Sequence, residues 1–224
     1  MSRMLGKYKI SALDAVITSG VLVIVRLDDH EDALKVCKAA IRGGVKAIEV
    51  TLSTPGAFDI IHTLSTEFAD ENVVIGAGTV LDPASAYKSI TCGARMLVSP
   101  NLNPEMIRTA NRYQAVSISG AMTPSEVVNT LEAGADIVKL FPSEVTDQTF
   151  IKTVSSPLPW APLMPSGGVT ADNAAEWINA GSLILGVGSY ITKAARKDGN
   201  YEHVTQAAAT MLSAVAKARQ AQKA

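Results

Sequence analysis

The stretch DIVKLFPSE, residues 136–144, decides how this chain is read. Ile137, Val138, Leu140 and Phe141 form an apolar, strand-like run, and Lys139 stands in its middle. An ammonium group withdrawn from water loses its hydration, so burial disfavours the charged form. A buried lysine therefore calls for a partner or a chemical use. Side chains alternate along a strand, which puts Ile137, Lys139 and Phe141 on one face and Val138 and Leu140 on the other. The run KAIEVT, residues 46–51, divides in the same way. Ala47, Glu49 and Thr51 share one face, and Ile48 and Val50 share the opposite one. In both runs the purely apolar pair suits packing against helices, and the other face carries the ionisable group.

Similar runs recur along the chain: VLVIV from Val21, NVVIG from Asn72, RMLVS from Arg95, AVSIS from Ala115, APLMP from Ala161 and LILGV from Leu183. Segments of helical composition separate them. In HEDALKVCKAAIRGG, Ala33, Val36, Ala40 and Ile41 make a helical apolar face that Gly43 and Gly44 can end. In TPSEVVNTLEAG, Thr123 is a cap, Pro124 suits the first turn, Glu126 has capping-box spacing and Gly134 suits the C-terminal end. The junctions RGGVKAIEV, TCGARMLVS, EAGADIVKL and NAGSLILGV resemble one another, with marker glycines Gly44, Gly93, Gly134 and Gly181.

Eight strands alternating with helices in 224 residues predict an α/β fold, a (β/α)8 TIM barrel. The expectation is a single barrel domain over residues 1–224, with an additional N-terminal helix near residues 10–19 closing its bottom. An open doubly wound sheet would carry a glycine-rich dinucleotide turn after its first strand, and VLVIVRLDDHEDA has none. The polar tail KARQAQKA is expected to fray. In the barrel, strands two and six face each other across the axis, so Glu49 and Lys139 point inward and meet over the centre.

Composition narrows the function. A formal net charge of −1 gives no general electrostatic footprint for nucleic acid or membrane, though a local anion pocket stays open. Cys37 and Cys92 are spaced for neither a disulfide framework nor a metal site, and read as small buried side chains in a reducing compartment. MSRMLGKYKI lacks the apolar run of a secretory signal, and no run reaches the length of a membrane span. A cytoplasmic, soluble protein is the expectation.

Small and polar residues cluster at the C-terminal strand ends, where barrels of this kind place their sites: 76–79, 99–100, 119–120, 166–168 and 188–189. A desolvated lysine can supply free amine to attack a carbonyl and form a Schiff base, and a nearby carboxylate can move the protons. A purely structural ion pair is the competing reading. PSGGV (165–169) and GVGS (186–189) end the seventh and eighth strands, where phosphate sites of this architecture lie. Gly167, Gly168 and Gly188 let backbone N–H groups approach an anion, and Ser189 adds a hydroxyl.

IEVTL (48–52), GAGTV (76–80), SPNL (99–102), KLFPSE (139–144), PSGGV and GVGS occur in the order seen in the 2-keto-3-deoxy-6-phosphogluconate and 2-keto-4-hydroxyglutarate aldolases. The chain resembles that family over about residues 20–195. The resemblance implies that Lys139 forms a Schiff base with a keto acid and that Glu49 is the general acid/base. It implies Thr79, Pro100 and Phe141 in the pyruvate pocket, and Gly167, Gly168, Gly188 and Ser189 at the substrate phosphate. It further implies a homotrimer, a small-molecule keto-acid substrate, no cofactor and no metal. His30, His62 and His203 are then surface or helix residues. The reaction implied is cleavage of 2-keto-3-deoxy-6-phosphogluconate, part of the Entner–Doudoroff pathway, to pyruvate and glyceraldehyde 3-phosphate. The 2-keto-4-hydroxyglutarate and 6-phosphogalactonate substrates stay open, as do a phosphate-binding isomerase or epimerase and a non-catalytic ligand-binding barrel.

One position departs from the family. Many members carry an arginine four residues after the glutamate to bind the keto-acid carboxylate, and here that residue is Ser53. Serine has no cationic fork. Some relatives instead carry an arginine at the end of the first strand, which implies Arg26. The competing reading is a surface arginine paired with Asp28 or Asp29.

Overall fold

Each apolar run becomes a strand, and the alternation of faces becomes the division between the inside and outside of a barrel. A computed structural model describes residues 9–222. The strands are β1 (Val21–Val25), β2 (Ala47–Thr51), β3 (Val74–Gly78), β4 (Met96–Val98), β5 (Val116–Ala121), β6 (Ile137–Leu140), β7 (Leu163–Pro165) and β8 (Leu185–Val187). All ladders are parallel and join sequential neighbours, with β8 paired back to β1. A parallel bridge between Ser166 and Gly186, and a hydrogen bond from Leu183 N–H to Leu163 O (2.9 Å), close the ring between β7 and β8.

Helix α1 (Lys9–Ser19) precedes β1, as the sequence led us to expect. Around the barrel follow α2 (His30–Arg42), α3 (Ala57–Glu67), α4 (Pro83–Thr91), α5 (Pro104–Tyr113), α6 (Pro124–Glu132), α7 (Asp147–Ser155), α8 (Ala174–Asn179), the one-turn α9 (Ser189–Thr192) and α10 (Glu202–Ala221). Two apolar clusters result. The inner one joins Leu22, Ala47, Val74, Met96, Val116, Ile137, Met164 and Ile184 to Ala12, Ala15 and Val16 of α1, which stop the lower end of the barrel. The outer one packs Val23, Ile48, Val50, Val138 and Leu140 against the helices. Removal from water of each such side chain stabilises the fold by roughly 1.5–3 kcal/mol.

Local signals behave as their chemistry requires. The marker glycines of the four repeated junctions all adopt positive φ: 98° at Gly44, 105° at Gly93, 91° at Gly134 and 112° at Gly181. Side chains there would be strained, so each helix turns into its next strand on glycine. Thr123 caps α6 by accepting from Glu126 N–H at 3.2 Å. Glu126 reaches past the cap to accept from Met122 N–H at 2.7 Å, which holds its carboxyl below the usual range. Cys37 is buried, and burial pushes its thiol up to about 12. Cys92 is only half-buried, since it ends α4 at the surface.

The tail corrects an expectation. Instead of fraying, α10 continues to Ala221. The partly buried Arg219 guanidinium donates to Thr18 O (3.2 Å) and Leu183 O (2.6 Å), and Gln222 Nε2 donates to Ile178 O (2.9 Å). A polar tail is held because its side chains satisfy carbonyls at the barrel's lower end, a partnership that composition does not disclose. Residues 223–224 lie outside the described residues.

Candidate active site

Strands β2 and β6 carry Glu49 and Lys139 on the face they share with Ala47 and Ile137, which belong to the inner cluster. The two side chains meet across the barrel. Lys139 Nζ lies 3.7 Å from Glu49 Oε2, and the side chains are only 5% and 1% exposed. At that separation the pair is electrostatic rather than hydrogen-bonded, since a charge-assisted N–H···O bond closes to about 2.7–2.9 Å. Among the described residues neither Glu49 oxygen has a hydrogen-bond partner, although both are buried. A buried carboxylate without protein hydrogen bonds is costly and is uncommon in a purely structural contact. Lys139 also sits 5.4 Å from the ring centroid of Phe141, two residues on along the same face.

Beside the lysine strand a glycine lets a neighbouring turn approach. On β5 the register partner of Lys139 is Gly120. A Cβ at Gly120 would overlap the Pro100 carbonyl and come within 2.5 Å of Asn101 N. The turn carrying Pro100 therefore rests directly on the β5 backbone. It is fixed there by Ser99 Oγ donating to Asn101 O (2.7 Å), Ser119 Oγ donating to the same carbonyl (3.0 Å), Asn103 N–H donating to Ser119 Oγ (3.1 Å) and Gly120 N–H donating to Asn101 O (3.1 Å).

Arg26 follows β1 and is exposed. Its Nη2 donates to Thr79 Oγ1 at 3.4 Å. Among the described residues no ion pair joins Arg26 to Asp28 or Asp29. Asp29 is occupied as the cap of α2, accepting from Asp32 N–H at 2.7 Å. Thr79 has φ 58°, a left-handed conformation that a β-branched residue adopts only at a cost. Strain of that kind concentrates where a side chain must be aimed. Ser53 joins a hydroxyl cluster instead of offering a cation: Thr51 Oγ1 lies 3.1 Å from Ser53 Oγ and 3.3 Å from Thr54 Oγ1.

The two glycine turns are brought side by side by the Ser166–Gly186 bridge. Gly167 and Gly168 have φ 116° and 70°. Their turn is pinned by Ser143 Oγ donating to Gly167 O (3.0 Å) and Asn173 Nδ2 donating to Gly168 O (2.9 Å). Above Gly188 the nearest atom to a missing Cβ is Ile24 O at 3.8 Å, so the position is open. Ser189 is exposed at the start of α9. Glu144 stands against the first turn, its Oε2 2.6 Å from where a Cβ on Gly167 would be.

The sequence places Ser99 and Ser119 at the strand ends but gives them no partner, and it does not single out Asn103, Ser143 and Asn173. Ser99 and Asn173 tie down carbonyls of their own turns, while Ser119, Asn103 and Ser143 reach groups of another loop, and a serine or asparagine in a turn gives no sign of which carbonyl or N–H it meets. His30 starts α2, and His62 is exposed on α3. His203, half-exposed on α10, lies 3.0 Å from Asp198 Oδ2.

The family model for the aldolases, described as KDPG and KHG aldolase, matches residues 13–207. The chain is 34% identical to the 2-dehydro-3-deoxy-6-phosphogalactonate aldolase of Escherichia coli strain K12, over 89% of this chain and 96% of that one. It is 31% identical to the 2-dehydro-3-deoxy-phosphogluconate aldolase of Treponema pallidum strain Nichols, over 88% and 93%. Its fold superposes with a TM-score of 0.80, at 28% identity over 89% and 97% of the chains, on the KDPG aldolase of Legionella pneumophila with pyruvate captured as a covalent carbinolamine intermediate. With that match spanning the barrel and both ionisable strands, the chain belongs to the KDPG and KHG aldolase family.

Proposed function

We propose that this protein is a class I aldolase that reversibly cleaves a phosphorylated 2-keto-3-deoxy sugar acid to pyruvate and glyceraldehyde 3-phosphate. The observation that carries the reading is the buried Lys139–Glu49 pair, 3.7 Å apart with neither carboxylate oxygen hydrogen-bonded. Lys139 Nζ adds to the C2 ketone, and the carbinolamine loses water to give a protonated imine. Glu49 accepts the proton of the C4 hydroxyl as the C3–C4 bond breaks, and the bonding electrons pass into the imine to leave an enamine. Glu49 then returns the proton to C3 of the enamine, and hydrolysis of the imine releases pyruvate and restores the amine. The carbinolamine captured in the Legionella pneumophila relative supports this route.

Arg26 and Thr79 take the keto-acid carboxylate, with Pro100 and Phe141 walling the pyruvate. The N–H groups around Gly167, Gly168 and Gly188, with the Ser189 hydroxyl, take the phosphate. No residue of this set requires a metal or cofactor. Homotrimer assembly is proposed on the family resemblance, and the exposed Val145 (70%) and Trp160 (71%) support covering by neighbouring copies. No described helix is long and apolar enough to cross a membrane.

The first substrate is 2-keto-3-deoxy-6-phosphogluconate. The 6-phosphogalactonate epimer is a second reading, favoured by the 34% identity to the galactonate enzyme of Escherichia coli. Pyruvate release, coupled to lactate dehydrogenase, from each epimer and from 2-keto-4-hydroxyglutarate tests the assignment. Cleavage of one phosphorylated epimer with the higher kcat/KM is expected, and cleavage of none of the three would overturn it.

A further inference from the structure

We infer that Gly78 is a positioning residue for Glu49, setting where the carboxylate stands by leaving it the space of a side chain. The inference rests on the reading of Glu49 as the proton carrier. The inner face of β3 presents Val74, Gly76 and Gly78. The space beside Gly76 is filled by Met96, whose Cε and carbonyl would lie 2.6 and 2.8 Å from a Cβ there. The space beside Gly78 is filled by Glu49. A Cβ at Gly78 would overlap Oε1 outright and lie 2.6 Å from both Cδ and Cγ.

The strand register shows which way the glutamate leans. Glu49 pairs with Gly76 on β3, whereas Gly78 pairs with Thr51. The glutamate side chain therefore reaches up the barrel, toward the C-terminal strand ends, and lies over the α-carbon of the next inward position. Among the described residues no hydrogen bond holds it there. What confines it is shape, together with Lys139 at 3.7 Å. A methyl group at Gly78 would turn the carboxylate away from that position and from the proton it has to carry.

Gly78 also differs from the glycines that the backbone demands. Its φ lies outside the left-handed region. The three atoms nearest its missing Cβ all belong to the Glu49 side chain, not to the main chain. An alanine at position 78 thus meets Glu49 before anything else, and shortening Glu49 removes the three closest contacts. Gly78 acts through Glu49.

The test is a cycle of four proteins: wild type, Gly78→Ala, Glu49→Ala and the double variant. Each is assayed for cleavage kcat across pH, exchange of the pyruvate C3 protons into deuterated water, borohydride trapping of pyruvate on Lys139, and thermal unfolding. Gly78→Ala is expected to lower kcat and C3 exchange by about a hundredfold or more, the scale of a lost general acid/base. Trapping on Lys139 persists. In the Glu49→Ala background the same substitution is expected to lower kcat by less than about twofold, because the side chain it would displace is gone. A Gly78→Ala protein that fails to fold while the double variant folds supports the inference equally, through stability in place of rate.

An equal loss in both backgrounds, a Gly78→Ala enzyme with wild-type kcat, or failure of both Gly78→Ala proteins to fold overturns the inference. Wild-type kcat in Glu49→Ala alone removes the proton-carrier reading and the inference with it. Loss of trapping in the wild-type protein instead strikes the Schiff-base reading.

Discussion

Replacing Arg26 with alanine separates substrate recognition from folding. The side chain is exposed and its one described polar contact is the 3.4 Å bond to Thr79 Oγ1, so its removal should change stability by no more than about 0.5 kcal/mol. Its proposed partner, a keto-acid carboxylate, is a charged acceptor, and hydrogen bonds to charged groups contribute about 1.5–3 kcal/mol. Solvent screening at an exposed position favours the lower part of that range. A loss of about 1.5–2 kcal/mol corresponds to a rise of roughly 10- to 30-fold in the pyruvate concentration needed for half-maximal trapping. The assay follows borohydride inactivation against pyruvate concentration, with thermal unfolding as the control. Arg26→Lys should recover only part of the loss, since an ammonium lacks the planar fork. Adding Ser53→Arg to Arg26→Ala should recover more, by restoring a guanidinium where many family members have one. An unchanged pyruvate dependence in Arg26→Ala, with Thr79 intact, would refute the assignment and return Arg26 to the surface.

Other expectations follow from single contacts. Gly120→Ala drives a Cβ into the Pro100 carbonyl, a backbone group tied down by several hydrogen bonds. Overpacking at the upper end, about 3 kcal/mol, should lower Tm by roughly 6–12 °C, and an unchanged melt would show that the turn yields freely. Glu144 places a carboxylate beside the turn proposed for phosphate. Like charges about 4 Å apart in water repel by about 1 kcal/mol. Glu144→Gln should therefore lower KM for the phosphorylated substrate about fivefold and leave an unphosphorylated keto acid unaffected, and equal effects on both would contradict it. Tyr201 donates to Asp32 Oδ1 at 2.7 Å, which pushes its phenol from its ordinary 10.0 up to about 12. A raised folded value means that the stabilisation is complete below about pH 10 and is lost as pH rises through about 12. Alkaline unfolding monitored by circular dichroism should lose that component in Tyr201→Phe, and identical pH dependence in the two proteins would contradict it.

The main lines of the site were legible because strand parity is a short-range property. Lys139 and Glu49 could be turned inward from a handful of neighbouring residues, and eight runs in order supplied the geometry that sets them opposite each other. The N-terminal helix was readable for a similar reason, its small apolar residues having one place to go. What escaped the sequence depends on contacts between loops. Nothing in GAGT says that Thr79 is held at φ 58° or that Arg26 reaches it. Nothing in EVT says that the glutamate lies over Gly78, because side-chain lean is decided by the space a neighbouring strand leaves. The tail was misread because Arg219 looks solvent-seeking by type, while its partners, Thr18 O and Leu183 O, lie 201 and 36 positions back along the chain.

The most direct test is to incubate the protein with pyruvate, reduce with borohydride, and map the modified peptide by mass spectrometry. A single pyruvate-derived adduct on Lys139, absent from Lys139→Met, is expected. No adduct at Lys139, or equal labelling of surface lysines in both proteins, would contradict a Schiff-base role for the lysine at the centre of the barrel.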